Sequence, residues 1–182
     1  MADLKFLRYR NEVISSLNKF NVAYKLVGGC IVQLIDSNRN TSDLDLLVRT
    51  TRDNTDRLIL ALVDCGFGTL EELKFQIYGG ALEAYNSYEL KSSNVRWLDY
   101  HIDMCFQLGK FNFEDSPSEV HITSQGLKIY SVPFRYIAHM KANVFPHPRQ
   151  NDLKDIAVIA DYLGLDPSTG LPRKDKKKRR KK

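Results

Sequence analysis

The stretch of sequence that decides the fold is VGGCIVQLIDSNRNTSDLDLLVR, residues 27–49. It opens with a glycine pair, Gly28 and Gly29, and closes with a segment in which Asp43 and Asp45 alternate with leucines. Side chains two positions apart on a strand point to the same face. Two carboxylates held side by side repel each other, and a divalent cation between them removes the repulsion. The pattern predicts a half-buried strand whose polar face binds a metal ion that also touches a substrate phosphate.

A third carboxylate tests this interpretation. In WLDYHIDMCFQ, residues 97–107, Asp103 lies at the centre of a strongly β-prone segment, on the same predicted face as His101 and Cys105. Burying an unpaired carboxylate is costly, so we expect Asp103 to have a metal or a charged partner, and His101 is the obvious alternative partner. If this strand lies beside the strand of Asp43 and Asp45, three carboxylates converge and can hold one or two divalent ions.

Size and composition set the limits on organisation. The chain has 182 residues and is 43% hydrophobic, which is enough for one domain with a substantial core. We predict a folded domain over residues 1–165. No stretch approaches the roughly 20 apolar residues that cross a bilayer, and the first twelve residues lack an apolar signal-peptide core. We therefore expect a cytoplasmic protein with no membrane association.

The positive charge is concentrated at the end of the chain. The last ten residues, RKDKKKRRKK, hold nine Lys or Arg and one Asp, whereas the other 172 residues hold 18 Lys or Arg and 21 Asp or Glu. The preceding residues are rich in Pro, Ser and Gly, so we predict that 166–182 form a disordered basic tail. Such a tail is typical of a nucleic-acid-binding arm or a nuclear localisation signal, and the alternative is a solubilising extension.

The cysteines and histidines show no metal-binding pattern. The three cysteines are widely spaced in apolar runs, which predicts buried reduced thiols rather than disulfides or a zinc site. The four histidines have no ligand spacing, and a structural role is the simplest interpretation of each. They are His101, His121, His139 and His147.

The order of elements predicts an α+β fold with a mixed β-sheet and C-terminal helices. We expect helices over 3–19, 57–63, 133–144 and 151–163, with a cap at Asp53 or Asn54 for the second, and a helical turn or two over 30–35. Extended segments are expected over 22–27, 43–48, 75–78, 81–90 and 97–106, and a hairpin over 120–132.

The glycine pair, the two acids and the later acid together resemble the polymerase-β-like nucleotidyltransferases. Gly28, Gly29, Asp43, Asp45 and Asp103 match that pattern in order and spacing. The approach RNTSDLDLLV and the later segment HMKANVFPHPRQNDLKDI, residues 139–156, are similar to small bacterial members of the abortive-infection and toxin type. The resemblance covers roughly residues 20–165. It implies a nucleotidyltransferase-like mixed sheet flanked by helices.

The resemblance also implies a reaction and a set of roles. Mg²⁺, or Mn²⁺ in its place, would be held by Asp43, Asp45 and Asp103, and Asp103 would help to deprotonate the acceptor hydroxyl. The enzyme would transfer a nucleoside monophosphate from an NTP to that hydroxyl and release pyrophosphate. The implied nucleotide-binding residues are Gly28, Gly29, Thr41, Ser42, Lys141 and Arg149.

Simpler interpretations accompany each of these roles. The glycine pair can be an ordinary turn, Asp43 and Asp45 a solvated strand face, and Lys141 and Arg149 surface decoration. The acceptor is open, with RNA or tRNA favoured by the basic tail and a small molecule or protein as alternatives. A protein partner such as an antitoxin would accompany a toxin-type enzyme. The alternative function is a catalytically inactive nucleotide- or nucleic-acid-binding module on the same fold.

Overall fold

The computed structural model describes residues 4–81, 88–106, 112–143 and 147–166. The chain divides into two compact units, with the boundary between Pro133 and Phe134. All six strands lie in the first unit, and the second contains two helices. From residue 167 onward, the predicted basic tail lies outside the described residues.

The first unit begins with helix α1 and alternates strands with helices. Its helices are α1 (Leu4–Lys19), α2 (Gly28–Val32), α3 (Arg52–Asp64) and α4 (Leu70–Gln76), followed by a π-helical turn (Ile77–Ala81). Its strands are β1 (Tyr24–Leu26), β2 (Asp43–Val48), β3 (Tyr88–Lys91), β4 (His101–Cys105), β5 (Glu119–Ile122) and β6 (Lys128–Ser131), with a 3₁₀ turn (Val95–Trp97) before β4.

The six strands form one mixed sheet in the order β3-β4-β2-β1-β6-β5. The pairs β2–β4 and β1–β6 are parallel, whereas β1–β2, β3–β4 and β5–β6 are antiparallel. This architecture confirms the predicted α+β class and mixed sheet. The parallel pairing of β2 with β4 is the relationship that positions the candidate site.

The two faces of the central strands differ sharply. Leu44 and Leu46 of β2 and Ile102 and Met104 of β4 are completely buried, whereas the alternating polar residues are half-buried. On α1, an apolar stripe of Phe6, Tyr9, Val13, Ile14 and Leu17 belongs to the same core. Because strand side chains alternate, burying the leucines places the aspartates on the opposite face.

The second unit is a helix pair, α5 (Phe134–Ala142) and α6 (Gln150–Tyr162). The ring of Phe134 meets that of Tyr162 edge-on, with ring centroids 5.2 Å apart. Both helices agree with the predicted positions within the described residues, and the predicted end of the first at residue 144 lies outside them. On α6, Ile159 is fully buried and Ala160 is 6% exposed, whereas Leu163, at the end of the helix, is exposed.

Several predicted elements are wrong in detail. Residues 75–78, expected to be extended, belong to α4 and the π-helical turn. A capping box in which Thr69 and Glu72 exchange hydrogen bonds starts α4, and this satisfies N–H groups that would otherwise lack partners. The predicted strand over 97–106 is shorter, because a 3₁₀ turn ends at Trp97 and β4 begins only at His101.

The start of α3 also differs from prediction. The helix begins at Arg52 with Thr51 in the cap position, several residues earlier than expected. Asn54 is not the cap. Its side chain accepts a hydrogen bond from Ala23 N and donates to the carbonyls of Ala23 and Arg49. This completely buried amide therefore ties α3 to the strands instead of capping the helix.

Two further expectations concern the cysteines and the membrane. Cys30, Cys65 and Cys105 are all free thiols; Cys30 is buried and the other two are partly exposed. Among the helices that the structure describes, none is long and apolar enough to cross a membrane.

Candidate metal and nucleotide site

The parallel pairing of β2 with β4 brings the sequence-predicted acids together. Asp45 is the register partner of Asp103, and Asp43 is the register partner of His101. All four side chains are half-buried and lie on the face of the sheet opposite the buried leucines. The expectation that the strand of Asp103 lies beside the strand of Asp43 and Asp45 is confirmed.

His101 belongs to the site, although its sequence context predicted only a structural histidine or an alternative charged partner of Asp103. Its Nε2 lies 3.1 Å from Asp43 Oδ1 and 4.0 Å from Asp103 Oδ1. The signal for it was present in the sequence, because a residue two positions before Asp103 on a strand must share its face. Spacing between possible ligands in the sequence does not identify His101, because its neighbour Asp43 lies on a different strand.

Within the described residues, Asp43, His101 and Asp103 form a group suited to a metal ion. Each offers one ligand atom, and the three atoms lie within 4.8 Å of one another. Carboxylate oxygens and an imidazole nitrogen are ordinary ligands for divalent cations. The residues present therefore fit the metal ion that the sequence predicts. Asp45 belongs to the same face but is not part of this group of three.

Asp45 instead packs against the glycine pair. A Cβ placed on Gly28 would lie 2.1 Å from Asp45 Oδ2, so only glycine allows this approach. The φ of Gly28 is +65°, a left-handed conformation that glycine adopts without strain. Val27 N also donates a hydrogen bond to Asp45 O at 3.0 Å. Helix α2 thus begins directly against Asp45, two residues earlier than the predicted helical turn.

Gly29 has different surroundings. A Cβ there would lie 2.9 Å from Arg39 Nη2 and 3.7 Å from Thr41 Oγ1. The residue therefore borders the loop between α2 and β2, and the atom it would meet first is the far end of a flexible side chain. Gly28 is required by the backbone and by Asp45, whereas at Gly29 a side chain would displace only the end of the Arg39 side chain.

The pKa of the Asp103 carboxyl is raised above its ordinary value. Burial is the largest cause; the charge of His101 opposes it, and the negative charges of Asp43 and Glu89 add to it. Glu89 is the register partner of Asp103 on the other side, in β3. The site therefore carries an excess of negative charge on one patch, which favours a bound cation.

Thr41 and Ser42, which the resemblance implies as nucleotide contacts, are engaged with Asp43. Ser42 Oγ donates to Asp43 Oδ1 at 2.5 Å, and Asp43 N donates to Thr41 Oγ1 at 3.3 Å. The two hydroxyls orient the first residue of β2 at the edge of the site. Their role toward a nucleotide stays a prediction.

Lys141 and Arg149, also predicted to bind nucleotide, both belong to the second unit. Lys141 Nζ lies 2.8 Å from Asp152 Oδ1 and 2.9 Å from Asp155 Oδ2, and both carboxylates are almost completely buried. Arg149 Nε donates to Asp152 Oδ2 at 2.8 Å from a mostly exposed side chain. The motif that prompted the prediction thus forms an ion-pair network between α5 and α6.

A second buried lysine lies on the polar face of the sheet. Lys25 of β1 pairs with Leu47, two residues beyond Asp45, and is only 6% exposed. Its Nζ donates to the carbonyls of Phe113 and Ser116, each at 2.5 Å. These hydrogen bonds hold the loop that contains Phe113 and Ser116 against this part of the sheet, and they provide the Lys25 ammonium with carbonyl partners.

Comparison with known proteins supports the description of the fold as nucleotidyltransferase-like. No protein-family model and no curated protein matches the chain. Its structure is similar to that of an antigenic nucleotidyltransferase-like protein from Paracoccidioides brasiliensis, with a TM-score of 0.55 over 89% of this chain and 78% of that one. The two sequences are 13% identical, so the likeness concerns the fold alone. The six-stranded mixed sheet with flanking helices is a nucleotidyltransferase-like fold.

Proposed function

We propose that the protein is a divalent-metal-dependent nucleotidyltransferase. It transfers a nucleoside monophosphate from an NTP to an acceptor hydroxyl; the new bond forms between the acceptor oxygen and the α-phosphorus, and pyrophosphate leaves. The observation that carries the proposal is the β2–β4 register, which assembles Asp43, Asp45 and Asp103 on one face beside a glycine-started helix. Phosphoryl transfer depends mainly on positioning and charge stabilisation, and this face would supply both when a cation is bound to its carboxylates.

Each residue has a role that follows from its position. Asp43 and Asp103 would hold the cation, and Asp45, packed on Gly28, would join them on the side of the phosphates. The bound cation would neutralise the triphosphate and lower the pKa of the hydroxyl beside it. Asp103 would also help to deprotonate the acceptor hydroxyl, as the resemblance implies. Gly28 and Gly29 would let the triphosphate approach the backbone closely.

The acceptor is proposed to be RNA, and a toxin-type role would follow the resemblance noted in the sequence. The support is the charge of the last ten residues, nine Lys or Arg against one Asp, which attract a polyanion. A small-molecule or protein hydroxyl would not need this tail. We further propose Mg²⁺ or Mn²⁺ as the cofactor and Thr41, Ser42, Lys141 and Arg149 as additional nucleotide contacts.

The test is a transfer assay that leaves the acceptor open. The purified full chain is incubated with each α-³²P-labelled NTP, Mg²⁺ or Mn²⁺, total RNA and a cell lysate. We expect label on one acceptor class, and a loss of about 100-fold or more in Asp43→Asn/Asp45→Asn. The matched control is Asp53→Asn/Asp99→Asn, which removes two carboxylates with mostly exposed side chains and should keep full transfer.

Two outcomes would contradict the proposal. Transfer that persists in Asp43→Asn/Asp45→Asn would show that the label is moved by something other than this site. NTP binding by the wild-type chain without transfer to any acceptor would favour the second candidate, a non-catalytic nucleotide- or nucleic-acid-binding module. Thermal unfolding of each variant shows whether a loss reflects the site or the fold.

A further inference from the structure

The position of His101 sets it apart from an ordinary surface histidine. It occupies the first position of β4, in register with Asp43, and its side chain is 25% exposed. Because β4 pairs with strands on both sides, the backbone of His101 is fixed, and its Nε2 lies within 4.0 Å of a carboxylate oxygen of both Asp43 and Asp103. The ring nitrogen therefore lies close to the oxygens that would bind a cation shared by Asp43 and Asp103.

The distances suit one coordination shell. In an octahedral shell with bonds of about 2.1 Å, neighbouring ligand atoms lie about 3.0 Å apart and opposite ones about 4.2 Å apart. The Nε2 of His101 is 3.1 Å from Asp43 Oδ1 and 4.0 Å from Asp103 Oδ1. Both separations fall in that range, and all three ligand atoms lie within 4.8 Å of one another, so the geometry is compatible with one shared ion.

The donor set differs from one made only of carboxylates. Mg²⁺ is a hard ion that keeps oxygen ligands and several waters, whereas imidazole nitrogen suits first-row transition metals. We propose that His101 is a direct ligand of the catalytic cation and that it makes the site prefer a first-row transition-metal ion to Mg²⁺. This inference rests on the proposed function, because the cation is catalytic only if the protein is a nucleotidyltransferase. The inference itself concerns metal binding, which can be measured without any enzymatic reaction.

The test uses Mn²⁺ as an electron paramagnetic resonance probe of the purified full chain. Titration measures bound Mn²⁺ from the loss of the free-ion signal, and pulsed measurements detect a coordinated nitrogen by its coupling to the electron spin. We expect nitrogen coupling in the wild-type protein and none in His101→Asn. The variant should also bind Mn²⁺ about 10-fold more weakly, whereas its Mg²⁺ affinity, measured by competition, should change less than about 3-fold.

The matched control is His121→Asn. His121 lies on β5, four strands from β4 in the sheet order, and its Nε2 is 2.8 Å from Ser131 Oγ. This variant should keep both the nitrogen coupling and the metal affinities of the wild-type protein. Circular dichroism and thermal unfolding establish that His101→Asn is folded before its metal binding is compared.

The results separate this inference from the proposed function. Mn²⁺ bound without nitrogen coupling, or equal losses of Mn²⁺ and Mg²⁺ affinity in His101→Asn, would overturn the role of His101 and leave nucleotidyl transfer standing. Nitrogen coupling that disappears in His101→Asn supports the inference even if no nucleotide is transferred. Failure of the wild-type chain to bind Mn²⁺ at all, with or without an NTP, would overturn it outright.

Discussion

Asp45 and Asp103 stand side by side as register partners on the parallel strands β2 and β4, although 58 positions separate them in the sequence. Asp43 is the next acid along the same face, and Glu89 pairs with Asp103 from β3. Holding like charges together opposes folding unless a cation compensates them. The site therefore costs the fold stability that a bound cation would restore.

The first prediction concerns the loss of folding stability caused by an ionised Asp103 carboxylate. Its pKa is raised by burial, with His101 opposing and Asp43 and Glu89 adding to the effect. A carboxyl with a raised folded pKa favours folding below its unfolded pKa of about 3.9, and this contribution is lost as pH rises through the folded pKa. We expect Asp103→Asn to raise the Tm of the metal-free protein at pH 7.

Thermal unfolding in EDTA at a series of pH values measures this effect. The advantage of Asp103→Asn should shrink as the pH falls toward the ordinary aspartate pKa, because the wild-type carboxyl is then protonated as well. Asp99→Asn, at an exposed position paired with Lys5, serves as the control and should show no such gain. A lower Tm for Asp103→Asn at every pH would refute the prediction.

The second prediction separates the two glycines. Gly28→Ala places a Cβ 2.1 Å from Asp45 Oδ2 and forces alanine to φ +65°, so we expect a loss of about 2–4 kcal/mol in the free energy of unfolding. Gly29→Ala meets only the end of the Arg39 side chain, and alanine favours the helix, so the change should stay within about 1 kcal/mol. Denaturant unfolding of both variants measures the difference, and equal losses would contradict it.

The third prediction concerns the buried ion pairs of the second unit. Lys141→Met leaves the buried carboxylates of Asp152 and Asp155 without the ammonium that compensates their charge. We therefore expect the free energy of unfolding to fall by about 3–5 kcal/mol. Lys141→Arg keeps the charge and should lose less. Chemical denaturation measures both variants. If Lys141→Met were as stable as the wild-type protein, the ion pairs would not stabilise the helix pair.

The same ion-pair network predicts that the stability of the protein falls in acid. Burial raises the pKa of Asp152, but hydrogen bonds from Arg149 and Lys141 outweigh it and hold the pKa below its ordinary value. A carboxyl with a lowered folded pKa stabilises the fold above its unfolded pKa, about 3.9, and this stability is lost as pH falls toward the folded value. Stability should therefore decline below about pH 4, and less steeply in Asp152→Asn, which lacks the titrating group.

The fourth prediction concerns the basic tail. Deleting residues 172–182 removes nine Lys or Arg, so we expect weaker RNA binding and a shallower dependence on salt. Filter binding at several salt concentrations measures both. Unchanged affinity and salt slope in the shortened chain would exclude the tail as an RNA contact and remove the main argument for an RNA acceptor. Replacing the nine residues by glutamine and serine is the length-matched control.

Much of the fold was predictable because hydrophobic periodicity is strong where an element is amphipathic. Helices α1 and α6, the hairpin of β5 and β6, and strand β2, whose bounds agree at both ends, were all expected. Predictions failed where local capping decides the outcome. Residues 75–78 look β-prone, but the capping box at Thr69 and Glu72 starts a helix that runs through Gln76.

The sequence predicted which carboxylates belong to the site, but not which residues contact them from other strands and helices. Strand alternation places Asp43 with Asp45, and His101 with Asp103, but pairing between the strands is a tertiary property that periodicity does not contain. The contact of His101 with Asp43 depends on the register of β2 with β4. The packing of Asp45 against Gly28 likewise depends on how the α2 backbone approaches the strand.

The parallel pairing of β2 with β4 also has a consequence during synthesis. A ribosome releases Asp43 and Asp45 long before Asp103, and parallel strands cannot pair until the whole crossover between them has emerged. A chain interrupted before β4 therefore contains Asp43 and Asp45 but lacks His101 and Asp103. Metal-dependent activity of the kind proposed would begin only when that late, long-range contact between β2 and β4 has formed.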